Sequence, residues 1–409
     1  MSTASIIRHI WRIRIRSSIR TKTTSAIENV PFELDASTDE KYKALNNMYV
    51  DMFTKADLPA NSIRKAEPMS ELEELNNEMK ELYDVTVLTP EDLAAKTKKD
   101  GRFILRSTST DPYFNLALED YIFQHTPLKQ RQEGHKRDMA GVGNERLIFY
   151  TNEKSVIIGK NQNPWKELYL KNLADRQYEY VRRKSGGGAV VHDLGNINYS
   201  YLTSRERFDR LFFNKQLVRW LAPYNDAIRL NERGDITLAS KKVSGSAFKI
   251  GKGKAYHHGT MLVSSDLAQF SGLLKPKDIP GIRWDCRSVE SVRSQVQNLQ
   301  DHCVDTIDEF CQIVVSGYRE MLQEDVPLHY CDESSATEEI LAYAEELKSF
   351  QWKFMSSPKF GVHLGDVSVM VEKGVVTQSD LPGTTGLTFY EFVENLNNNC
   401  YNSIIDYKL

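Results

Sequence analysis

An α+β fold in two parts is what this 409-residue sequence predicts. Three observations carry the prediction. Short runs rich in β-branched and aromatic residues, at 147–150, 155–159, 178–183 and 197–202, mix with helical patterns but lack the regular alternation of a doubly wound sheet. The length suffices for two cores. Near residue 332 the composition shifts to Asp332-Glu333-Ser334-Ser335, a linker and cap ahead of a second, smaller unit.

Composition narrows the function classes. A hydrophobic content of 40% and a charged content of 27% describe an ordinary globular chain. The net charge of −3 gives no basic field for nucleic acid, and no run of eighteen apolar residues offers a membrane span. The five cysteines, Cys286, Cys303, Cys311, Cys331 and Cys400, form no C-x-x-C pair. That argues against a zinc knuckle or a disulfide framework and suits a reducing compartment.

Taken in order, residues 1–28 carry Arg8, Arg12, Arg14, Arg16, Arg20 and Lys22 before the first acidic residue, Glu28. A basic, Ser-rich, acid-poor opening is the composition of a mitochondrial transit peptide, and predicts the matrix. Residues 29–100 read as a helical extension. Ser70-Glu71-Leu72-Glu73 is a capping-box pattern followed by Leu75, Met79 and Leu82, and Thr89-Pro90 offers a second helix start. The main domain spans 101–330: a strand at 101–106, a helix through Phe114 and Leu118, a charged loop at 129–145, and the strands named above. A helix at 207–221, strands at 227–230, 235–238 and 254–263, and a closing helix at 305–323 follow. Residues 331–409 form the accessory unit: a helix at 337–350, a hairpin over 362–371 with the turn Glu372-Lys373-Gly374, and a helix at 389–396.

The chemistry centres on Arg182-Arg183-Lys184-Ser185-Gly186-Gly187-Gly188-Ala189-Val190-Val191-His192-Asp193. Three consecutive glycines let peptide N–H groups approach an anion, and flanking arginines add charge-assisted bonds to phosphate. A glycine-rich turn with exposed basic residues is the bland alternative for this stretch alone. It is neither a P-loop nor a G-x-G-x-x-G dinucleotide loop. Two further stretches decide: Lys241-Lys242-Val243-Ser244-Gly245-Ser246-Ala247-Phe248 and His257-His258-Gly259-Thr260-Met261-Leu262. In this order the three resemble the lipoate-protein ligase A and lipoyltransferase family, in its mitochondrial, fungal-type form. Phe114-Asn115-Leu116-Ala117-Leu118-Glu119 and Asn161-Gln162-Asn163-Pro164-Trp165-Lys166-Glu167 add to the likeness, which covers residues 101–409.

The resemblance implies a catalytic domain of the biotin- and lipoate-ligase, class II synthetase-like kind with a small accessory domain. It implies ATP and lipoate as substrates, Mg²⁺ carried by the phosphates, and no metal site in the protein. Lys242 would be the catalytic cation, shared by nucleotide and lipoyl group. Arg183, Gly188, Ala189, Val190, Val191 and Asp235 would bind the nucleotide. Leu116, Ser185, His192 and His258 would line the lipoyl pocket. The implied partners are apo lipoyl domains of 2-oxo acid dehydrogenase complexes and the glycine-cleavage carrier protein. Making the amide requires the acceptor lysine to lose a proton, and Asp193 or the phosphate itself could take it.

Other readings keep parts of this picture. An ATP-independent lipoyl or octanoyl transferase would use a preformed acyl donor. Arg283-Trp284-Asp285-Cys286-Arg287 departs from the lysine-rich adenylate-binding loop of bacterial relatives and sets Cys286 between arginines, where a thiolate could carry the acyl group. An inert cysteine is the plainer reading. A non-catalytic lipoyl-domain-binding module and a biotin ligase complete the set. Adjacent His257 and His258 on a strand face opposite ways, which argues against a shared metal ion.

Overall fold

The computed structural model describes residues 85–128 and 143–398, all within one compact unit, Ser70–Leu409. The transit peptide expected at 1–28, the helix expected through Leu72 and Leu82, most of the 129–145 loop and Cys400 lie outside the described residues.

Helix α1 (Pro90–Lys98) begins at the Thr89-Pro90 pair. The Thr89 hydroxyl accepts the Asp92 N–H at 3.1 Å, and Pro90 sits in the first turn, where no donor is lost. Strand β1 (Phe103–Ser107) leads into α2 (Pro112–His125), capped by Asp111, whose carboxylate accepts the Tyr113 N–H at 2.7 Å. There follow β2 (Arg146–Thr151), β3 (Ser155–Ile158), the short helices α3 (Pro164–Glu167) and α4 (Leu170–Asp175), β4 (Glu179–Arg182), β5 (Val190–His192) and β6 (Asn196–Ser204). The helix expected from residue 207 starts later, as α5 (Phe212–Leu221). Asp209 accepts the Leu211 N–H at 2.8 Å, a local side-chain turn that competes with helix.

The short strands β7 (Ile228–Leu230), β8 (Ile236–Leu238) and β9 (Lys241–Lys242) precede the hairpin of β10 (Ser246–Gly251) and β11 (Lys254–Leu262). Then come β12 (Ile282–Cys286), α6 (Ile307–Leu322), β13 (Leu328–Cys331), α7 (Glu338–Lys348), β14 (Phe360–Leu364), β15 (Val367–Glu372), β16 (Val375–Ser379) and α8 (Phe389–Asn398). Where one hairpin was expected at 362–371, β14, β15 and β16 form a meander, because Gly365 (φ 59°) supplies one tight turn and Lys373-Gly374 (φ 50° and 76°) another.

A six-stranded mixed sheet, ordered β10-β11-β6-β2-β1-β13, is the frame of the molecule. Strand alternation sends Ile104, Leu147, Phe149, Tyr199 and Met261 to one face, against Phe213 and Leu217 of α5 and Phe310 and Val314 of α6. Leu105, Ile148, Tyr150 and Tyr256 face the other way, against Leu116 and Ile122 of α2 and Ile340 and Leu347 of α7. Covered on both faces, β1 and β2 read as continuous apolar runs rather than alternating ones. A small sheet, β4-β3-β5, stands beside the frame, and the four-stranded β12-β14-β15-β16 carries the C-terminal elements.

The expected division at residue 330 runs through β13, the outer strand next to β1, and β12 from before that point pairs with β14. Arg182 strengthens the tie. Its buried guanidinium donates to the carbonyls of Lys160 (3.0 Å), Gln162 (2.7 Å) and Lys353 (2.9 Å) and to the Ser357 hydroxyl (2.9 Å). This arginine of the basic cluster is therefore a brace between the turn after β3 and the segment after α7.

Candidate active site

A cleft of about 280 Å³ opens where the large sheet, the β4-β3-β5 sheet and the β7-β8-β9 sheet meet. Its lining includes the apolar Leu116, Tyr150, Ile157 and Val190 and the polar or charged groups of Gly187, Gly188, Arg233, Asp235 and Lys242. Of the residues singled out in the sequence, Leu116, Arg183, Gly188, Ala189, Val190, His192, Asp235, Lys242 and His258 line this one cleft. Ser185 and Val191 do not. Val191 points the other way along β5, as alternation requires, and packs with Val156, Ile158 and Leu168.

The glycine loop is shaped from inside by Arg183. Its Nε donates to Ser185 Oγ (2.9 Å), one terminal nitrogen to the carbonyls of Gly186 (2.5 Å) and Gly188 (2.9 Å), and the other to that of Ile157 (3.2 Å). Burial lowers its pKa to about 10, so the guanidinium stays charged at neutral pH. With carbonyls turned in toward Arg183, the Ala189 N–H turns out, and it meets Ser291 Oγ at 2.9 Å. Gly187 (φ 92°) is left-handed, and a side chain there would strike the Arg183 guanidinium. Gly159 is pressed against the same loop: a Cβ on it would lie 2.1 Å from the Gly187 carbonyl oxygen.

Behind the loop runs a directed hydrogen-bond chain. Arg183 Nε–H donates to Ser185 Oγ, and the Ser185 hydroxyl lies 2.8 Å from His258 Nε2. His258 Nδ1 faces both oxygens of the Glu119 carboxylate at 3.0 Å. Burial opposes ionisation of Glu119, but the charge and hydrogen bond offered by His258 together with Lys249 hold its pKa below the ordinary carboxylate range. Ser185 thus touches the cleft through His258. His257, on the opposite face of β11, packs against Phe248 at 4.7 Å.

Lys242 sits on a two-residue strand held from both sides: by β8, and by backbone bonds from Lys242 N–H to the Gln295 carbonyl (2.8 Å) and from Gln297 N–H to the Lys242 carbonyl (3.0 Å). Its ammonium lies 3.1 Å from Asp235 Oδ1. The turn that presents it, Ala239-Ser240, has both residues left-handed (φ 47° and 71°) without glycine or asparagine. Ser240→Gly is therefore expected to raise stability by about 0.5–1 kcal/mol, read as a higher urea midpoint at unchanged slope.

Several lining residues carried no signal in the sequence: Val289, Glu290 and Val292, and the neighbouring Ser291, on an irregular segment across the glycine loop. Gln162 and Glu167 anchor this segment, through Gln162 Nε2 to Ser291 Oγ (3.0 Å) and Ser291 N–H to Glu167 (3.3 Å). Arg233 was missed because it stands on the β7–β8 turn, where a charged residue is unremarkable. Cys286 does not line the cleft; its Sγ faces the Lys359 carbonyl at 4.0 Å. Burial raises the thiols of Cys303 and Cys311 to about 11, and that of Cys331 further, which leaves them protonated. Asp193, considered as a base, spends both oxygens on the backbone N–H groups of Gly195 (3.0 Å) and Asp266 (2.8 Å).

The cleft's chemistry agrees with what similar proteins are. A Saccharomyces cerevisiae protein named "Putative lipoate-protein ligase A" is 41% identical over 380 residues, covering 88% of this chain and 90% of that protein. The human mitochondrial lipoyl amidotransferase is 36% identical over 66% of this chain and 69% of its own length. Among solved structures, the Plasmodium falciparum LipL1 complex with lipoate superposes with a TM-score of 0.52 at 25% identity, over 68% of this chain and 84% of that one. Residues 111–319 match the model of the lipoyl protein ligase A/B catalytic domain. With its α+β architecture and a cleft lined by apolar side chains, a glycine loop and a paired lysine, this chain is an enzyme of the lipoate-protein ligase and lipoyltransferase family.

Proposed function

We propose that this protein is a mitochondrial-matrix lipoate–protein ligase that activates lipoate with ATP to lipoyl-AMP and passes the lipoyl group to a lysine of apo lipoyl domains. One shared cleft carries the reading: apolar Leu116, Tyr150, Ile157 and Val190 line it together with the glycine loop, Arg233 and the Lys242–Asp235 pair. A chain in the cleft would bring its carboxylate to Lys242, and Arg233 would meet the α-phosphate. Lys242 then stands where charge develops on the acyl carbonyl and phosphate oxygens, and Gly188, Ala189, Val190 and Asp235 frame the nucleotide. The cleft's carboxylates, Asp235 and Glu290, are each paired with a lysine, so Mg²⁺ would rest on phosphate oxygens. With Asp193 committed to backbone, the phosphate remains the available base for the incoming amine.

The basic, acid-poor first 28 residues and the mitochondrial human relative support the matrix. The acceptors proposed are the lipoyl domains of 2-oxo acid dehydrogenase complexes and the glycine-cleavage carrier protein. A second reading, ATP-independent transfer of a lipoyl or octanoyl group from a preformed adenylate, a thioester or another lipoylated protein, is favoured by the likeness to a lipoyl amidotransferase. The position of Cys286 outside the cleft gives no support to a cysteine-bound acyl intermediate.

Purified protein, lipoate, Mg²⁺-ATP and an apo lipoyl domain decide between them when the acceptor is weighed by mass spectrometry. A lipoyl mass that requires ATP is the expected result. Addition from lipoyl-AMP alone, with none from lipoate and ATP, would replace the ligase by the transferase.

A further inference from the structure

Four of the residues that line the cleft are also exposed: Arg233, Val289, Glu290 and Val292. Any group that a partner protein extends into the cleft meets them first. Three of the four belong to the irregular 287–296 segment, which is fastened in place. Val289 N–H donates to the Asn161 carbonyl at 3.1 Å and Gln162 Nε2 to the Val289 carbonyl at 3.3 Å, in addition to the Ser291 contacts above. The two oxygens of Glu290 have different partners. Oε1 accepts from the largely buried Lys166 ammonium at 2.5 Å. Oε2 faces the ammonium of Lys277 at 3.7 Å, too long for a full hydrogen bond, from a side chain that is 75% exposed. The hydrogen bond and charge of Lys166, with the charge of Lys277, hold the Glu290 carboxyl below the ordinary carboxylate range, so it is an anion at neutral pH.

The cleft's other carboxylate, Asp235, is occupied by Lys242 at 3.1 Å. Glu290 is therefore the exposed negative charge of the lining. A lysine arriving from an acceptor domain brings a stem of methylenes and an ammonium. Val289 and Val292, 40% and 58% exposed, offer apolar surface to the stem, and Glu290 Oε2 offers an acceptor to the head. Lys277 already places an ammonium beside that oxygen, held loosely enough to give way. Arg233 repels a cation and is left for phosphate. We infer that Glu290 receives the acceptor lysine: its Oε2 binds the incoming ammonium in place of Lys277, with the stem over Val289 and Val292, before the amine moves on to the acyl carbonyl. This rests on the lipoyl-transfer reading above and names the residue that recognises its acceptor. A carboxylate already fixed by Lys166 loses little freedom when the amine binds. Glu290 docks the amine without acting as its base, and the proton lost on amide formation still passes to phosphate.

The test is a double-mutant cycle on the full chain, loaded with a non-hydrolysable lipoyl-adenylate analogue. Two apo lipoyl domains are titrated into it calorimetrically, one natural and one with its acceptor lysine replaced by methionine, which keeps a stem and lacks the ammonium. Wild-type protein is expected to bind the natural domain about three- to fivefold tighter, the scale of a partly exposed ion pair. Glu290→Gln should shrink that preference below about twofold. Lys277→Gln frees Oε2 and should raise it by about twofold, the opposite of what a general loss of positive charge or of order in the segment would do. Lys277→Gln also serves if Glu290→Gln does not fold. Wild-type protein that transfers lipoyl from lipoyl-AMP yet shows no preference for the natural domain overturns the inference alone. So does a preference that survives Glu290→Gln or falls in Lys277→Gln. If the natural domain neither binds nor accepts lipoyl from lipoyl-AMP, the lipoyl-transfer reading falls and takes the inference with it.

Discussion

Lys242→Ala is expected to lower lipoylation of an acceptor domain by about 10²–10³-fold, on the scale of a lost oxyanion-hole donor. The ammonium is a single point of charge whose three N–H groups can reach two oxygens at once. Held 3.1 Å from Asp235 Oδ1, it is oriented before any substrate arrives. Its contribution grows as charge accumulates on the carbonyl and phosphate oxygens, so the loss belongs in the rate of chemistry more than in substrate binding. Lys242→Arg is expected to rescue little, because a planar fork does not converge on two oxygens from one point. The fold should survive, since the Lys242 and Asp235 side chains are 23% and 13% exposed and their pair is worth about 1 kcal/mol at most. Single-turnover rates, run with lipoate plus ATP and separately with lipoyl-AMP, provide the check. A fall of less than tenfold in both removes Lys242 from the catalytic role.

Much of this arrangement was legible in the chain, for identifiable physical reasons. Strands β1 and β2 showed as unbroken apolar runs because helices cover both faces of the sheet. Helices α1 and α2 announced themselves through Thr89-Pro90 and Asp111-Pro112, where a side-chain acceptor precedes a residue with no N–H to lose. Lys242, Asp235, Gly188 and His258 could be singled out because their stretches resemble the family's, and the fold brings all four to one cleft. What stayed hidden depends on contacts between distant segments. Arg182 and Arg183 are neighbours with similar side chains, yet one braces the C-terminal segment and the other the glycine loop, a difference set by strand alternation in β4 and the chain just beyond it. The 287–296 segment has no periodicity to read, so Ser291 could not be foreseen over Ala189. The hydrogen bonds between Asn115 and Asn152 and between Asn152 and His192 join residues up to 77 positions apart in number, and no spacing in the sequence betrays them.

Acidification is expected to unfold the protein steeply, and His192 and His257 should set the slope. Both rings are buried and neutral. Desolvation, reinforced by Arg183 and His258 around His192 and by His258 and Arg210 around His257, lowers each pKa to about 3. In the unfolded chain a histidine titrates near 6.5. Between those values the unfolded state binds the extra protons, so stability is full above about pH 6.5 and falls as pH drops toward 3. Two protons give about 2.7 kcal/mol per pH unit, or about 4 kcal/mol by pH 5, a large part of the 5–15 kcal/mol that holds an ordinary domain together. Glu119 acts in the same direction lower down: its depressed pKa stabilises the fold above the ordinary carboxylate range and that contribution is lost on further acidification. Urea unfolding at intervals from pH 7.5 to 5 measures the slope. His257→Phe, in a site already walled by Phe213 and Phe248, should remove about half of it without touching the cleft. A wild-type slope below about 0.7 kcal/mol per pH unit, half of one proton's worth, would mean that neither ring is held neutral.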